Sequence, residues 1–183
     1  MERHIMEIKV GYTYFIAEDF FELVNDPFLK INKSTGMRPH FLLLEDLDGF
    51  LWMVPLSSRV SKFEKIIENK IKKNRPHHGI AIAKIKGLKR AILFQDMFPI
   101  KKGFILSEYK IEDAHFGIGN KSQLSEFISQ GMKVNRIINN GYKLTPTSPD
   151  IEKILKIQSE LRQDWDEEIE EDFAFDTNHK MKL

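Results

Sequence analysis

The 183-residue sequence contains no cysteine. That removes disulfides, thiolate zinc sites and thiol nucleophiles together, and it leans towards a reducing compartment. No apolar run approaches the roughly 18 residues of a membrane span, and the opening MERHIMEIKVG has no apolar signal core. The expectation is a soluble, cytoplasmic protein with no membrane partner. Met6 could equally serve as the start, so residues 1–5 read as possible extra start residues. Phosphate loops are missing too, since neither G-x-G-x-x-G nor a Walker A pattern occurs. Metal spacing is poor: His77 and His78 are adjacent and diverge in a strand or a helix, and His115 stands alone. These histidines read as surface-loop residues, Asp46 and Asp48 read as turn formers, and no metal or other cofactor is expected.

What is present suits one sizeable core. With 42% hydrophobic residues, the chain is expected to form a single domain over residues 1–183. The net charge of +1 hides a segregation. Between Arg59 and Lys102 there are 13 Lys/Arg against three acidic residues, whereas seven of the nine residues from Asp164 to Asp172 are Asp or Glu. A basic middle with an acidic tail implies a polyanion met by one face, with nucleic acid as the leading class. The tail, about residues 163–183, is expected either to be disordered or to cover the basic face in trans.

The stretch from Gly36 to Lys62 organises the chain. Two apolar runs, Phe41 to Leu44 and Phe50 to Leu56, flank a polar turn ending in Asp48-Gly49, which predicts a β-hairpin over 40–56. Trp52 is expected in the core, and Pro55 implies a strand that ends there or lies at an edge. Before it, alternation over 8–16 predicts a strand and 17–24 a short helix. After it, Ser61-Lys62-Phe63-Glu64 reads as a capping box opening an amphipathic helix over 61–73. Strands are predicted at 80–85, 90–94 and 104–111, the middle pair joined across 86–89; Gln95 to Ile100 breaks that pattern. Helices are predicted from Asn120 to about 140 and from Ser148-Pro149-Asp150 onward. Strand-rich first and helical later indicates α+β with an antiparallel sheet.

A hairpin would bring Arg38, ahead of its first strand, towards Ser57 and Ser58 after its second. Hydroxyls, backbone amides at a helix start and the cations Arg38, Arg59 and Lys62 suit a phosphodiester. On RNA the substrate's own 2′-hydroxyl is the nucleophile, so the protein has only to align it and neutralise charge on the phosphorane. His40, two residues from Arg38, is a candidate for proton transfer near neutral pH. The competing reading of Ser57-Ser58 is plain helix capping. Two non-enzymatic readings of the chain also stand: an RNA-binding module using the same basic face, and an interaction domain whose acidic tail docks a basic partner.

The segments MEIKVGYTY, RPHFLLLEDLDGFLWMVPLSSRVSKFEKIIENKI and AKIKGLKRAILFQDMFPI resemble the toxins of type III toxin–antitoxin systems, the ToxN/AbiQ family, and within it the CptN-type branch. The resemblance implies a metal-independent endoribonuclease with a MazF/Kid-like fold: a twisted, partly closed antiparallel sheet with peripheral helices. It implies products with 2′,3′-cyclic phosphate and 5′-hydroxyl ends, cellular or phage RNA as substrate, and a role in phage defence. It also implies a small repeat RNA antitoxin, processed to a pseudoknot and held in a closed ring of three proteins and three RNAs.

By the same resemblance Ser58 matches the family's key hydroxyl, Ser57 the Ser/Thr before it, Arg38 a basic residue and Tyr12 an aromatic of the first strand. Val60 stands where many relatives have lysine, so Arg59 or Lys62 would supply that cation. His40 has no counterpart in the more distant relatives. RNA is then expected across a surface carrying Lys65, Lys72, Lys73, Lys84, Lys86, Lys89 and Arg90.

Overall fold

A computed structural model describes residues 6–30 and 36–161. The expectations for residues 1–5 and for the acidic tail lie outside the described residues. The elements run β1 (Thr13–Ile16), α1 (Glu18–Val24), β2 (His40–Glu45), β3 (Leu51–Ser57), α2 (Val60–Lys72), β4 (Ala81–Ile85), β5 (Leu88–Ile92), β6 (Phe98–Ile100), β7 (Ile105–Glu108), β8 (Lys110–Ile111), β9 (Ala114–His115) and α3 (Lys121–Asn139). Residues 151–161 form a further helix, α4. The architecture is α+β, as expected. Seven antiparallel strands make one sheet in the order β4-β5-β3-β2-β1-β7, with β6 also on β3; β8 and β9 pair separately. β4 and β7 remain its two ends, so the sheet does not close into a barrel.

The β2–β3 hairpin forms for the reason its sequence suggests. Asp46 Oδ1 accepts from the Asp48 and Phe50 amides at 3.0 and 2.9 Å, and its Oδ2 accepts from Trp52 Nε1 at 2.9 Å. One carboxylate therefore closes the turn and pins the tryptophan of the returning strand, with Gly49 at φ +76° completing the reversal. The two faces of the sheet bury different sets. Phe41, Leu43, Trp52, Val54 and Leu56 pack with Phe127 and Val134 of α3. Leu42, Leu51 and Met53 pack on the other side with Phe20 of α1, Phe98 and Ile154 of α4. A strand covered on both faces reads as a continuous apolar run, and every residue of β3 is buried. Helix α3 approaches β2 so closely at Gly131 that a Cβ there would lie 2.3 Å from Leu43 Cδ2. Asn120 caps α3 through the Gln123 amide (3.0 Å), and Asp150 caps α4 through the Lys153 amide (3.1 Å).

Several expectations are corrected. The first strand is four residues long, because the chain turns at Gly11 (φ +91°) and only Tyr12 extends the pairing, as a bridge to Gly117. The β4–β5 turn is Lys86-Gly87 alone, both at positive φ (45° and 82°), which is the two-residue hairpin geometry. Phe94 lies in a 3₁₀ turn and not in the strand, and β6 arises inside the stretch that breaks the alternation.

Pro55 sits in a central strand, not at an edge. The Leu56 amide bonds the Pro39 carbonyl just ahead of β2, so the Pro55 nitrogen faces the opposite side. There β6 pairs as far as Met53 and β5 begins at Leu56, and the missing N–H falls between them. The capping box does not form either: α2 starts at Val60, with Arg59 at the N-cap and no side-chain cap. Among the described residues no helix is long and apolar enough to cross a membrane.

Candidate functional site

The open end of the hairpin forms one wall of a cleft of about 600 Å³. His40 pairs with Pro55 across the hairpin, and the Leu56 amide reaches the Pro39 carbonyl at 3.3 Å. Arg38 is thereby carried to the level of the serines, and its Nη1 donates to the Leu56 carbonyl at 3.1 Å. Arg38, Ser57, Ser58, Arg59 and Lys62 all line this cleft, so five of the six candidate catalytic residues come together. Lys30, Arg90, Phe63 and Tyr109 line it as well. Five cations therefore face the space, and no Asp or Glu is among the described lining residues.

The two serines differ. Ser57 is buried, and its Oγ accepts the Arg59 amide at 3.2 Å as the chain enters α2. Its local role is thus the one the capping reading assigns to the pair. Ser58 is exposed, and among the described residues its hydroxyl meets no partner. The first turn of α2 carries no side-chain cap and no acidic residue; the Val60 amide bonds the Ser58 carbonyl at 2.9 Å, and the positive dipole end of the helix remains a favourable place for an anion. Burial pushes the Arg38 guanidinium below the usual arginine value; Asp96 pulls it back up, and the neighbouring Arg59 pushes it down again. An anion in the cleft would relieve both the burial and the repulsion.

His40 does not fit the role of proton carrier. Its ring is fully buried, 5.4 Å from the Phe98 ring and 6.1 Å from that of Phe21. Burial first, and the Arg38 charge second, hold its pKa down to about 3. A sealed, neutral imidazole neither reaches a substrate nor titrates near pH 7. The alternation along β2 put His40 on the side of Arg38, but Arg38 lies beyond the strand end, where the helix layer no longer covers it.

The remaining candidates spread over a wider surface. Arg90 is in the cleft, whereas Tyr12 is not: its ring meets that of His115 in a tilted contact at 4.6 Å. Lys65 and Lys72 lie exposed on α2 and Lys73 just after its end, with Lys84 exposed on β4. Lys86 donates from the hairpin tip to the His115 carbonyl at 2.6 Å. Lys89 is engaged by Glu64 of α2. Among the described residues no three His, Asp or Glu side chains gather as a metal-ligating group.

Lys30 and Tyr109 are cleft residues that sequence reasoning missed. Lys30 is delivered by the turn after α1, which Asp26 fixes by accepting the Phe28 amide (2.7 Å) and, from α4, the Asp150 amide (2.7 Å). The Asn25-Asp26-Pro27 helix stop was the available signal. Nothing periodic marks Tyr109.

No family model and no curated protein matches the sequence. Solved structures do. The chain is similar to AbiQ, a lactococcal anti-phage endoribonuclease of a type III toxin–antitoxin system, with TM-score 0.66 and 12% identity over 85% of this chain and 99% of that one. It is similar to a structure from a bacterial antiviral system regulated by a processed non-coding RNA (TM-score 0.57, 12% identity, 79% and 95% covered). A third comes from a type III system whose toxin is selectively inhibited by a non-coding RNA pseudoknot (TM-score 0.51, 16% identity, 84% and 99% covered). The fold is shared. It extends over nearly the whole length of each of these three chains.

Proposed function

We propose that the chain is an endoribonuclease toxin of a type III toxin–antitoxin system, belonging to the ToxN/AbiQ family and its CptN-type branch and acting in the cytoplasm as a single domain. The observation that carries this reading is the convergence of Arg38 and the exposed Ser58 hydroxyl in one cleft lined by five cations. The fold shared with AbiQ supports it.

In this reading the scissile phosphate sits at the start of α2. Ser58 donates to a non-bridging oxygen and orients the substrate's 2′-hydroxyl. Ser57 still has its own proton to donate after accepting the Arg59 amide. Arg38 binds the phosphate with paired donors, and Arg59 or Lys62 neutralises charge as the phosphorane forms. Attack of the 2′-oxygen on phosphorus, with its proton passing to water, breaks the bond to the 5′-oxygen, leaving a 2′,3′-cyclic phosphate and a 5′-hydroxyl. No step needs a metal. With His40 sealed off, protonation of the leaving 5′-oxygen falls to an ammonium of the cleft, Lys62 or Lys30. The remaining cations, Lys65, Lys72, Lys73, Lys84 and Arg90, extend the track for a repeat-derived pseudoknot RNA, which the toxin processes and is then inhibited by, in a ring of three proteins and three RNAs.

The test is direct. Purified chain with EDTA and a long RNA should yield fragments with 5′-hydroxyl ends, and Ser58→Ala should abolish them while still retaining the RNA. Binding without cutting by the unmodified chain would leave only a non-catalytic RNA-binding module.

A further inference from the structure

Beneath the cleft lies a carboxylate that the cleavage scheme does not use. Asp96, in the 3₁₀ turn after β5, is 2% exposed. A side chain buried there merely to close a turn would accept a backbone amide, as Asp46 does. Among the described residues Asp96 does not: its Oδ1 has no hydrogen-bond partner there, and its Oδ2 faces Lys30 Nζ at 3.7 Å. Burying a carboxylate costs free energy unless cations answer it. Among the described residues the cations that answer it, Lys30 and Arg38, belong to the cleft lining. Lys30 is 32% exposed at its side chain, so its ammonium lies between the sealed carboxylate and the open space.

We propose that Asp96 is a positioning residue, which from below the cleft anchors the Lys30 ammonium and makes Lys30 a phosphate-binding cation of the same site as Ser58. This rests on the reading of the cleft as an RNA phosphate site. The geometry gives each partner a distinct part. Lys30 comes from the loop between α1 and β2, ten residues ahead of the hairpin, and a lysine on such a loop loses much side-chain entropy when it must meet a phosphate. A fixed carboxylate beneath it removes part of that loss in advance, which is preorganisation. Burial holds the Asp96 carboxyl above the usual carboxylate range, and Lys30 and Arg38 draw it back towards the charged form. The anchor and the cations therefore depend on one another.

A double-mutant cycle in RNA affinity tests this, with a 2′-O-methyl RNA oligonucleotide that cannot cyclise as the probe. Lys30→Met should weaken binding about five- to tenfold in the otherwise unmodified protein, and less than about twofold in an Asp96→Asn background. Equal losses in the two backgrounds would show that Lys30 acts without Asp96 and would overturn the proposal. Cleavage adds a second readout: Asp96→Asn should lower kcat more than it raises KM, because the cleft keeps its cations but loses their placement. If Asp96→Asn does not fold, Lys30→Met alone decides, since unchanged affinity there overturns the proposal. Failure of the unmodified chain to cut RNA would remove the nuclease reading while the binding cycle still reports on Asp96. Failure to bind the oligonucleotide would remove both.

Discussion

Arg38 Nη1 and the Leu56 carbonyl lie 3.1 Å apart, so the guanidinium is tied to the strand that presents Ser57 and Ser58. The tie fixes one side of the fork at the wall of the cleft that Arg38 lines. Arg38→Ala should lower single-turnover cleavage by about a hundredfold or more and stability by about 1 kcal/mol, since the Leu56 carbonyl loses its donor. Arg38→Lys keeps the charge but not the paired geometry, and should fall between the two. Cleavage rates and thermal unfolding measured on the same preparations check both.

The serines should separate in experiment. Ser58→Ala should remove cleavage without shifting the unfolding midpoint, because among the described residues its hydroxyl holds nothing in place. Ser57→Ala should destabilise by about 1 kcal/mol through loss of the acceptor for the Arg59 amide, with a smaller effect on cleavage. The reverse pattern would exchange their roles.

His40 predicts a pH dependence of stability. Its folded pKa is about 3, far below the ordinary histidine value of 6.5. Between those values the unfolded chain binds a proton that the folded chain refuses, so stability rises with pH across the window. The contribution is fully present above about pH 6.5, declines as pH falls towards 3, and amounts to a few kcal/mol in all. Urea midpoints should therefore be lower at pH 5 than at pH 7, and His40→Leu should flatten that difference while cleavage persists.

Basic residues next to each other in sequence should not contribute equally. Arg90 lines the cleft, whereas Lys89 is engaged by Glu64. Arg90→Ala should weaken RNA binding about three- to tenfold and reduce the salt dependence by about one phosphate contact. Lys89→Ala should change affinity by less than about twofold. Titrations at two salt concentrations distinguish them.

The elements with a strong local signal could be read from the sequence directly. The hairpin follows from Asp46 and Gly49, α3 from Asn120, and the antiparallel α+β class from the order of strands and helices. What escaped was set by tertiary contacts. Pro55 reads as an edge signal, yet a central strand tolerates it because two different neighbours meet beside it. His40 has the alternation of a site residue but lies under α1 and β6. Residues on either side of the cleft, Lys30 and Arg90, are 60 positions apart in the sequence, and only the packing of α1, α4 and the 3₁₀ turn brings the loop of one to the strand of the other. The convergence of Arg38 with Ser58, Arg59 and Lys62 was legible because a hairpin and the helix start after it are local; the arrival of Lys30 was not.

The far end of that same hairpin has a use of its own. Leu47 at the reversal is 106% exposed, and the ladder between it and the serines runs from Glu45 opposite Leu51 to His40 opposite Pro55, about 20 Å of strand. A fluorophore, affinity handle or surface tether grafted at Leu47 would stand clear of any polynucleotide lying against α2. The molecule thus carries a built-in attachment point for single-molecule or immobilised assays, on the rigid rod that also bears its reactive hydroxyl.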